Sequence, residues 1–411
     1  MGAFSVFKDK RTSRKKRELP SVNSHYLKLA RISAVIRYAC IIFAVAFAVY
    51  SLAFHASEIS MENFRYMLKF INPAEEEQRE TGSLLAFDGS EGNRGLIFKG
   101  DLAVLNENGL TVIGWDGETI LREAFSLDHP KVENNGINLF CYDLGGKELR
   151  IFNSYSRIST LSFDYPIYWL AASEDGGFVA ASSAKGYRSA VYVYDKEFRL
   201  IYSKLLGDKY VDFVDISPKG NEVISAFHYS ENGNIVTLLS KMSTSSEDAV
   251  FEEKFVGEIP LGVYYTDSGF CLMTSDRLRS FDNENNLIGE ISFANKNLLS
   301  GRVENDRILL NYALDGLSGG TNTVIYNLNA EEIFSHDFPF SVSDSVITEN
   351  AYYVLSPGAL TVFNFETDES ISYSVPTSYT SLIKGDDNII LFAENQAEVF
   401  DLNTFQPKEE N

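Results

Sequence analysis

Residues 101–125, DLAVLNENGLTVIGWDGETILREAF, contain three short runs of strand-forming residues separated by turns rich in Asn, Asp and Gly. Residues 269–293, GFCLMTSDRLRSFDNENNLIGEISF, repeat that order, and so do residues 351–375 and 388–402. Short apolar or alternating runs bounded by such turns predict β-strands joined by hairpins. The chain is therefore predicted to be a repeat of small antiparallel sheets.

The repeat extends along the chain from residue 83 onward. One strand of each unit serves as a marker, and the markers begin near Asp101, Ile137, Gly177, Asn221, Gly269, Asp306, Ala351 and Asn388. Their spacing of 36 to 48 residues is typical of four-stranded propeller blades. A further strand precedes each marker, as IYWLAASED does before Gly177. Each unit is thus predicted to contain four strands, a to d, counted from the centre of a ring outward.

The two ends of the repeat predict how the ring closes. The last unit offers strand a (Tyr379–Ile383), strand b (Asn388–Glu394) and strand c (Ala397–Leu402), but no strand d. Ser83–Asp88 is a strand without a blade of its own, before the first a-strand at Gly95–Lys99. Placing Ser83–Asp88 as strand d of the last blade removes two exposed edges. We therefore predict an all-β, eight-bladed, PQQ-like or WD40-like β-propeller, with seven blades as the fallback.

The N-terminal region differs sharply in charge from the repeat. Residues 1–37 carry ten Lys and Arg against Asp9 and Glu18, a net charge of +8, so the remainder of the −21 chain carries −29. Residues 34–54 are apolar except for Arg37, which is long enough for one transmembrane helix with its basic flank in the cytoplasm. The predicted organisation is a cytoplasmic tail (1–33), a transmembrane signal anchor (34–56), a juxtamembrane helix and acidic linker (57–82) and an extracytoplasmic propeller (83–411).

The acidity of the outer region argues against nucleic acid and anionic lipid as its partners, because both would be repelled. The sequence has no Asn-x-Ser/Thr sequon, which favours a bacterial cell-surface protein over a eukaryotic one. We expect a single-pass membrane protein with its N-terminus in the cytoplasm. The oligomeric state stays open.

The residues that usually carry catalysis or bind metals are sparse. Cys141 and Cys271 lie in apolar strands and are expected in the core, whereas Cys40 falls in the predicted span. The five histidines, at 25, 55, 129, 228 and 336, are scattered singly, so no zinc site is predicted. The G-x-S-x-G nucleophile motif is absent as well. We predict no catalytic, cofactor-binding or metal-binding residue and no cofactor, and the ligand-binding residues stay unknown.

Several polar segments are interpreted as turns and loops. Asp282–Asn286 and Asp386–Asp387 have the oxygen ligands that calcium prefers, but Asn/Asp clusters are also what tight turns require. Leu317–Thr321 is interpreted as a hairpin loop rather than a phosphate cradle, because no helix follows it. Ser243–Asp248 is predicted to be a solvated loop.

Aromatic groups are candidates for a sugar- or peptide-binding face. They occur at Tyr165–Trp169, Tyr264–Tyr265 and Tyr352–Tyr353. Neighbouring residues in a strand point to opposite sides of the sheet. We therefore expect one aromatic residue of each pair to lie in the core between blades.

The whole chain resembles a known group. The basic tail, the single span, the helix beginning at Met61 and blades such as Asp101–Trp115 resemble clostridial and other Firmicutes membrane-anchored proteins with a PQQ-like propeller of unknown function. Quinoprotein dehydrogenases share such propellers but have a tryptophan motif in most blades, and many of them have adjacent cysteines. Trp115 and Trp169 are the two tryptophans here and no cysteines are adjacent, so the cofactor is not carried over.

The fold also resembles the non-catalytic propeller lipoprotein that scaffolds outer-membrane assembly. This resemblance implies that such a ring can act as a binding platform, although a fold alone does not confer a role. We expect a non-catalytic binding or scaffolding module for a protein or cell-wall glycan. The alternatives are a glycan-acting enzyme with carboxylates at the propeller channel, and a ligand sensor.

Overall fold

The computed structural model describes residues 24–54, 84–87, 94–246, 248–314, 319–367, 369–385 and 388–400. Two units are compact, residues 1–74 and residues 75–411. The described residues of the first unit form the helix α1 (Ser24–Phe54). Within the described ranges, no helix combines the length and the apolar composition of a membrane-crossing segment, so the structure does not support the predicted span. The predicted juxtamembrane helix and linker, 57–82, lie outside the described residues.

The second unit contains eight four-stranded antiparallel sheets, which are the blades. The strands of the first half are β1 (Leu84–Ala86); in blade 1, β2 (Arg94–Phe98), β3 (Asp101–Asn106), β4 (Gly109–Ile113) and β5 (Thr119–Ala124); in blade 2, β6 (Pro130–Asn134), β7 (Leu139–Asp143), β8 (Glu148–Phe152) and β9 (Arg157–Ser162); in blade 3, β10 (Trp169–Ala172), β11 (Phe178–Ala184), β12 (Tyr187–Tyr194) and β13 (Leu200–Leu206); and in blade 4, β14 (Tyr210–Ile216), β15 (Glu222–Glu231), β16 (Asn234–Ser243) and β17 (Ala249–Val256).

The second half continues the same order. Its strands are, in blade 5, β18 (Pro260–Thr266), β19 (Gly269–Thr274), β20 (Arg277–Asp282) and β21 (Leu287–Ser292); in blade 6, β22 (Leu298–Glu304), β23 (Arg307–Ala313), β24 (Thr321–Asn327) and β25 (Glu332–Phe338); in blade 7, β26 (Asp344–Ile347), β27 (Ala351–Ser356), β28 (Ala359–Asn364) and β29 (Ser370–Ser374); and in blade 8, β30 (Ser381–Lys384), β31 (Ile389–Phe392) and β32 (Gln396–Phe400).

Blade 8 is completed by the first strand of the propeller. β1 pairs antiparallel with β32, with Leu84 opposite Glu398, Leu85 opposite Ala397 and Ala86 opposite Gln396. The predicted closure and the predicted count of eight blades are therefore confirmed, and the fallback of seven is wrong.

The core lies between the blades rather than within any one of them. Every residue of β27 is buried, because the blades on either side cover both faces of this strand. Tyr352 packs in a cluster with Leu309 of blade 6, whereas Tyr353 packs in a cluster with Leu382 of blade 8. The expectation that one residue of this pair lies in the core is met, and the second lies there as well, because neighbouring blades cover both faces of β27.

The innermost strands of successive blades contact one another around the ring. The ring has two faces. The a–b face carries the turns between strands a and b, such as Asn305–Asp306, whose φ angles of 51° and 56° suit a two-residue type I′ hairpin. The b–c face carries the b–c turns, such as Asn232–Gly233, and the loops that lead from one blade to the next. The a–b face carries an acidic cavity, whereas the b–c face carries exposed apolar side chains.

Candidate functional site

An acidic cavity of about 240 Å³ opens on the a–b face, where the innermost strands of blades 3 to 6 end. We call it the axial cavity. Its lining carries the carboxylates of Glu174, Asp215, Asp267, Glu304 and Asp306. Tyr265 is the one aromatic residue among the described residues that line it. The channel is therefore polar here and is not filled by apolar side chains.

Asp215 joins blade 4 to blade 5 at the wall of this cavity. The amide of Ile216 donates a hydrogen bond to its Oδ1 at 2.8 Å, and the amide of Tyr265 on β18 donates to its Oδ2 at 2.7 Å. Burial raises the pKa of the Asp215 carboxyl to about 6, although these two hydrogen bonds oppose the change. The Asp215 side chain thus holds two blades together while its charge is poorly solvated.

Asp344 makes the same kind of junction between blades 7 and 8. The amide of Ser345 donates to its Oδ1 at 2.8 Å, and the amide of Leu382 donates to its Oδ2 at 3.0 Å. Asp344 does not line the axial cavity. It is therefore a structural counterpart of Asp215 that lies outside the lining but still acts electrostatically on Glu304.

Two more carboxylates near this cavity have raised pKa values. Burial, with a further contribution from Asp215, raises the pKa of Glu133 on β6 to about 7, and Lys131 opposes the change. Burial also raises the pKa of Glu304, which pairs with Arg302 at 3.5 Å. Carboxyls that are buried and close to one another favour the neutral form. Burial therefore favours the neutral form of both carboxyls.

The b–c face carries apolar side chains around the loop that joins blades 4 and 5. Val256, Ile259 and Leu261 are 63%, 48% and 40% exposed, and Ile235, at the tip of the β15–β16 hairpin, is 46% exposed. The carbonyl of Ile235 accepts a hydrogen bond from the amide of Gly257 at 2.8 Å, so the hairpin tip and the loop lie side by side. We call these four residues the apolar surface. Adjacent exposed apolar side chains mark interaction sites more often than isolated ones do.

A buried ion pair fixes the loop that carries this surface. The Arg279 guanidinium donates two hydrogen bonds to the Glu258 carboxylate, both at 2.8 Å, and lies 4.2 Å from the centre of the Phe255 ring. Thr274 donates to the same carboxylate, and Thr237 donates to the carbonyl of Glu258 at 2.7 Å. Burial favours the neutral form of Glu258, but the hydrogen bonds from Arg279 and Thr274 outweigh it and lower the pKa. The apolar surface is therefore preorganised.

The structure bears out several sequence-based interpretations. Cys141 and Cys271 are buried, as predicted, and burial raises the pKa of both thiols. Asp282 accepts hydrogen bonds from the amides of Glu284 and Asn286, as expected for a tight turn.

Three further polar segments predicted to be loops or turns lie partly or wholly outside the described residues. Ser245 and Ser246 are exposed, which agrees with a solvated loop. Ala313 pairs with Thr321, so a hairpin joins β23 and β24, but residues 315–318 of its loop lie outside the described residues. Asp386–Asp387 also lie outside them.

The sequence interpretation did not single out the residues of the axial cavity or of the apolar surface. The sequence nevertheless contains a weak signal for the axial cavity and another for the apolar surface. Asp215 interrupts the apolar pattern of an a-strand, VDFVDIS, and VGEIPLG places Val256, Ile259 and Leu261 in a loop where polar residues are usual. Neither signal indicates which residues meet in space.

Comparison with known proteins places the chain in a family. Residues 80–402 match the family of unknown function DUF5711. The chain belongs to that family. A search of curated proteins gives no match.

Solved structures show the same fold at low sequence identity. BamB from Moraxella catarrhalis is 12% identical with a TM-score of 0.51, and the match covers 78% of this chain and 99% of that chain. The Dos1 propeller is 11% identical with a TM-score of 0.54, covering 78% and 95%. The C-terminal WD40 domain of Sif2 is 12% identical with a TM-score of 0.52, covering 78% and 97%. These likenesses show the propeller fold alone.

Proposed function

We propose that this propeller is a non-catalytic binding module that docks a protein partner through its b–c face. The observation that carries the proposal is the apolar surface of Ile235, Val256, Ile259 and Leu261 on a loop held by the Arg279–Glu258 pair. Interface cores are apolar and depleted in charge. A rigid surface also loses little conformational entropy on binding.

A protein fits this surface better than a glycan does. The four exposed side chains are aliphatic, whereas stacking on a sugar ring calls for aromatic faces. Tyr210, the exposed ring at the start of β14, is already stacked on His228 with 5.2 Å between ring centres. The neighbouring aromatic ring is thus engaged within the protein.

The axial cavity does not favour the alternative of a glycan hydrolase. That reaction requires two carboxylates flanking the scissile bond, one acting as an acid and the other as a base or nucleophile. Glu133 and Asp215 have the raised pKa values that an acid needs. However, Tyr265 is the one ring in the described lining, and a sugar-binding pocket has more aromatic surface.

The proposal includes a location outside the cell, with residues 1–33 in the cytoplasm and residues 34–56 as the anchor. Its support comes from the sequence: the net charge of +8 over residues 1–37, the apolar run that follows and the −29 of the remainder. A reporter fused after Asn411 should be active outside the cell and inactive in the cytoplasm. Activity in the cytoplasm would overturn this location.

The docking surface is tested by affinity isolation of the full-length protein from the envelope fraction of its source organism. Val256→Glu and Ile259→Glu should each abolish recovery of the partner, because a buried unpaired charge costs several kcal/mol at an interface. Leu287→Glu is the matched control, since Leu287 is 53% exposed on β21 near the opposite face. The proposed surface would be contradicted if all three variants failed to recover the partner, or if all three recovered it as wild type does.

A further inference from the structure

A second cavity, of about 250 Å³, lies between blades 3 and 4. We call it the interblade cavity. Blade 4 contributes every second residue of β15, β16 and β17 to its lining, for example Leu238, Ser240 and Met242 on β16. Alternate residues of a strand share one face of the sheet. One face of blade 4 therefore forms one wall, and Lys204 and Leu206 on β13, strand d of blade 3, lie on the other.

The floor of the interblade cavity is apolar. Leu206, Phe227, Leu238 and Met242 line it, and all four belong to the cluster that packs blade 3 against blade 4. The volume exceeds the ~30 Å³ share of a water molecule and falls below the ~300–1,000 Å³ of drug-sized pockets. A single large apolar side chain suits this space better than a whole small molecule does. The thioether of methionine makes favourable contacts with aromatic rings in particular.

The charged side chains of the lining are paired with groups of the same lining. The pairs are Lys209–Asp208 at 3.0 Å, Lys254–Glu231 at 3.2 Å and the hydrogen bond from the Ser240 hydroxyl to Glu252 at 3.3 Å. With Lys204 included, three ammonium groups and three carboxylates line the cavity, so their formal charges cancel. A polar rim around an apolar centre is the arrangement found in protein–protein interfaces.

Two of the ammonium groups show which side chain the cavity favours. Nζ of Lys209 lies 5.1 Å from the centre of the Tyr229 ring, and Nζ of Lys254 lies 5.7 Å from the same centre. An ammonium group within about 6 Å of an aromatic face is attracted to it. A further ring that enters beside Tyr229 meets the same two ammonium groups. An aliphatic side chain gains apolar contact there without this attraction.

The interblade cavity adjoins the apolar surface. Val256, a residue of that surface, follows Lys254 by two residues on β17, so both side chains lie on the same face of the strand. On the neighbouring strand β16, Val236 pairs with Val256, and Leu238 of the cavity floor pairs with Lys254. A protein that contacts Val256 therefore reaches the mouth of the cavity.

We propose that the interblade cavity holds an aromatic side chain of the protein that docks on the apolar surface. The inference rests on the docking proposal and adds the chemistry of the partner to it. In protein interfaces, a few residues that fill pockets carry most of the binding free energy, and Tyr and Trp are frequent among them. The cavity is such an anchor pocket, and the apolar surface is the flat contact beside it.

Methyl NMR on the full-length protein tests the cavity with a defined probe, N-acetyl-phenylalaninamide. The methionine methyl groups are labelled with ¹³C, and Met242→Leu and Met273→Leu assign their signals. The signal of Met242, at the cavity, should shift as the probe is added. Met273, on β19 of blade 5, is the internal control and should not shift. N-acetyl-cyclohexylalaninamide, which is similar in size and lacks an aromatic face, should bind more weakly.

Matched variants separate the cation–π contribution from general effects on folding. Lys254→Met removes one ammonium group at an exposed position, so the fold should be kept. It should weaken binding of the phenylalanine probe by about two- to fivefold and leave binding of the cyclohexyl probe unchanged. Lys296→Met is the control, because Nζ of Lys296 lies 4.7 Å from the centre of the Tyr312 ring and both residues lie outside the lining. It should change neither affinity.

Photocrosslinking in the source organism shows whether the occupant belongs to the docked protein. A photoreactive residue at position 252, in the cavity lining, should give a product with the same partner as one at position 259 on the apolar surface. A product at 259 without one at 252 overturns the anchor pocket and leaves the docking proposal standing, whereas no product at either position contradicts both. Equal binding of the two probes, or equal shifts of Met242 and Met273, also overturns the anchor pocket.

Discussion

Replacing Leu85 by alanine tests how the ring is closed. Leu85 is 3% exposed in β1 and packs with Leu102 of blade 1 and Ile390 of blade 8. Leu→Ala changes in cores lower the free energy of unfolding by about 2–5 kcal/mol. Because a three-residue strand at the edge of a blade can relax, we expect Leu85→Ala to lower it by about 2–3 kcal/mol. Leu84, its neighbour, is 55% exposed, and Leu84→Ala should cost less than about 0.5 kcal/mol.

Urea unfolding measures the free-energy difference between these two variants. Hydrogen exchange then shows where the stability is lost. β1 pairs with residues 396–398 of β32, so loss of β1 should first deprotect the amides in this segment that face it. If Leu84→Ala and Leu85→Ala lowered the free energy of unfolding by the same amount, closure of the ring by β1 would be refuted. So would a loss of stability in Leu85→Ala that leaves the amides of β32 fully protected.

Three further predictions concern buried groups. The pKa of Glu133 is raised in the folded state, so the free energy of unfolding of the wild type should fall as pH rises from about 4.5 through about 7. Urea unfolding should therefore show Glu133→Gln to be more stable than wild type at pH 8, by up to about 3 kcal/mol. The same measurement at pH 4 should show no gain. The thiols of Cys141 and Cys271 should react with a thiol reagent at pH 8 only after unfolding, and reaction of either thiol in the folded protein would contradict their burial. Arg279→Met should destabilise the protein by about 3–5 kcal/mol because it leaves the Glu258 carboxylate without its partner, and thermal unfolding of the Arg279→Met/Glu258→Gln double variant should show partial recovery.

The strand pattern was predictable because it is local. Each marker position lies within two residues of the strand it predicted, for example Ile137 before β7 and Asn388 before β31. The alternation of side chains and the Asn/Asp/Gly turns are properties of short segments. The closure was predictable too, since a missing strand at one end matched an extra strand at the other.

The axial cavity was not predictable, because it depends on which strands meet at the centre of the ring. Glu133 and Asp215 lie on a-strands two blades apart and approach each other only when the blades pack around the centre of the ring. With 57 Asp and Glu residues in the chain, no pattern separates these two from the solvated majority. The burial of both Tyr352 and Tyr353 has the same origin, since neighbouring blades cover both faces of β27.

Site-specific photocrosslinking in the source organism tests the docking proposal most directly. A photoreactive residue at position 259 should give one discrete crosslinked product, and a second change, Leu261→Glu, should remove it. The same photoreactive residue at position 287, where Leu287 is about as exposed as Ile259, should give none. Crosslinking at 287 that equals that at 259, or no product at 259, would contradict a partner bound to the apolar surface.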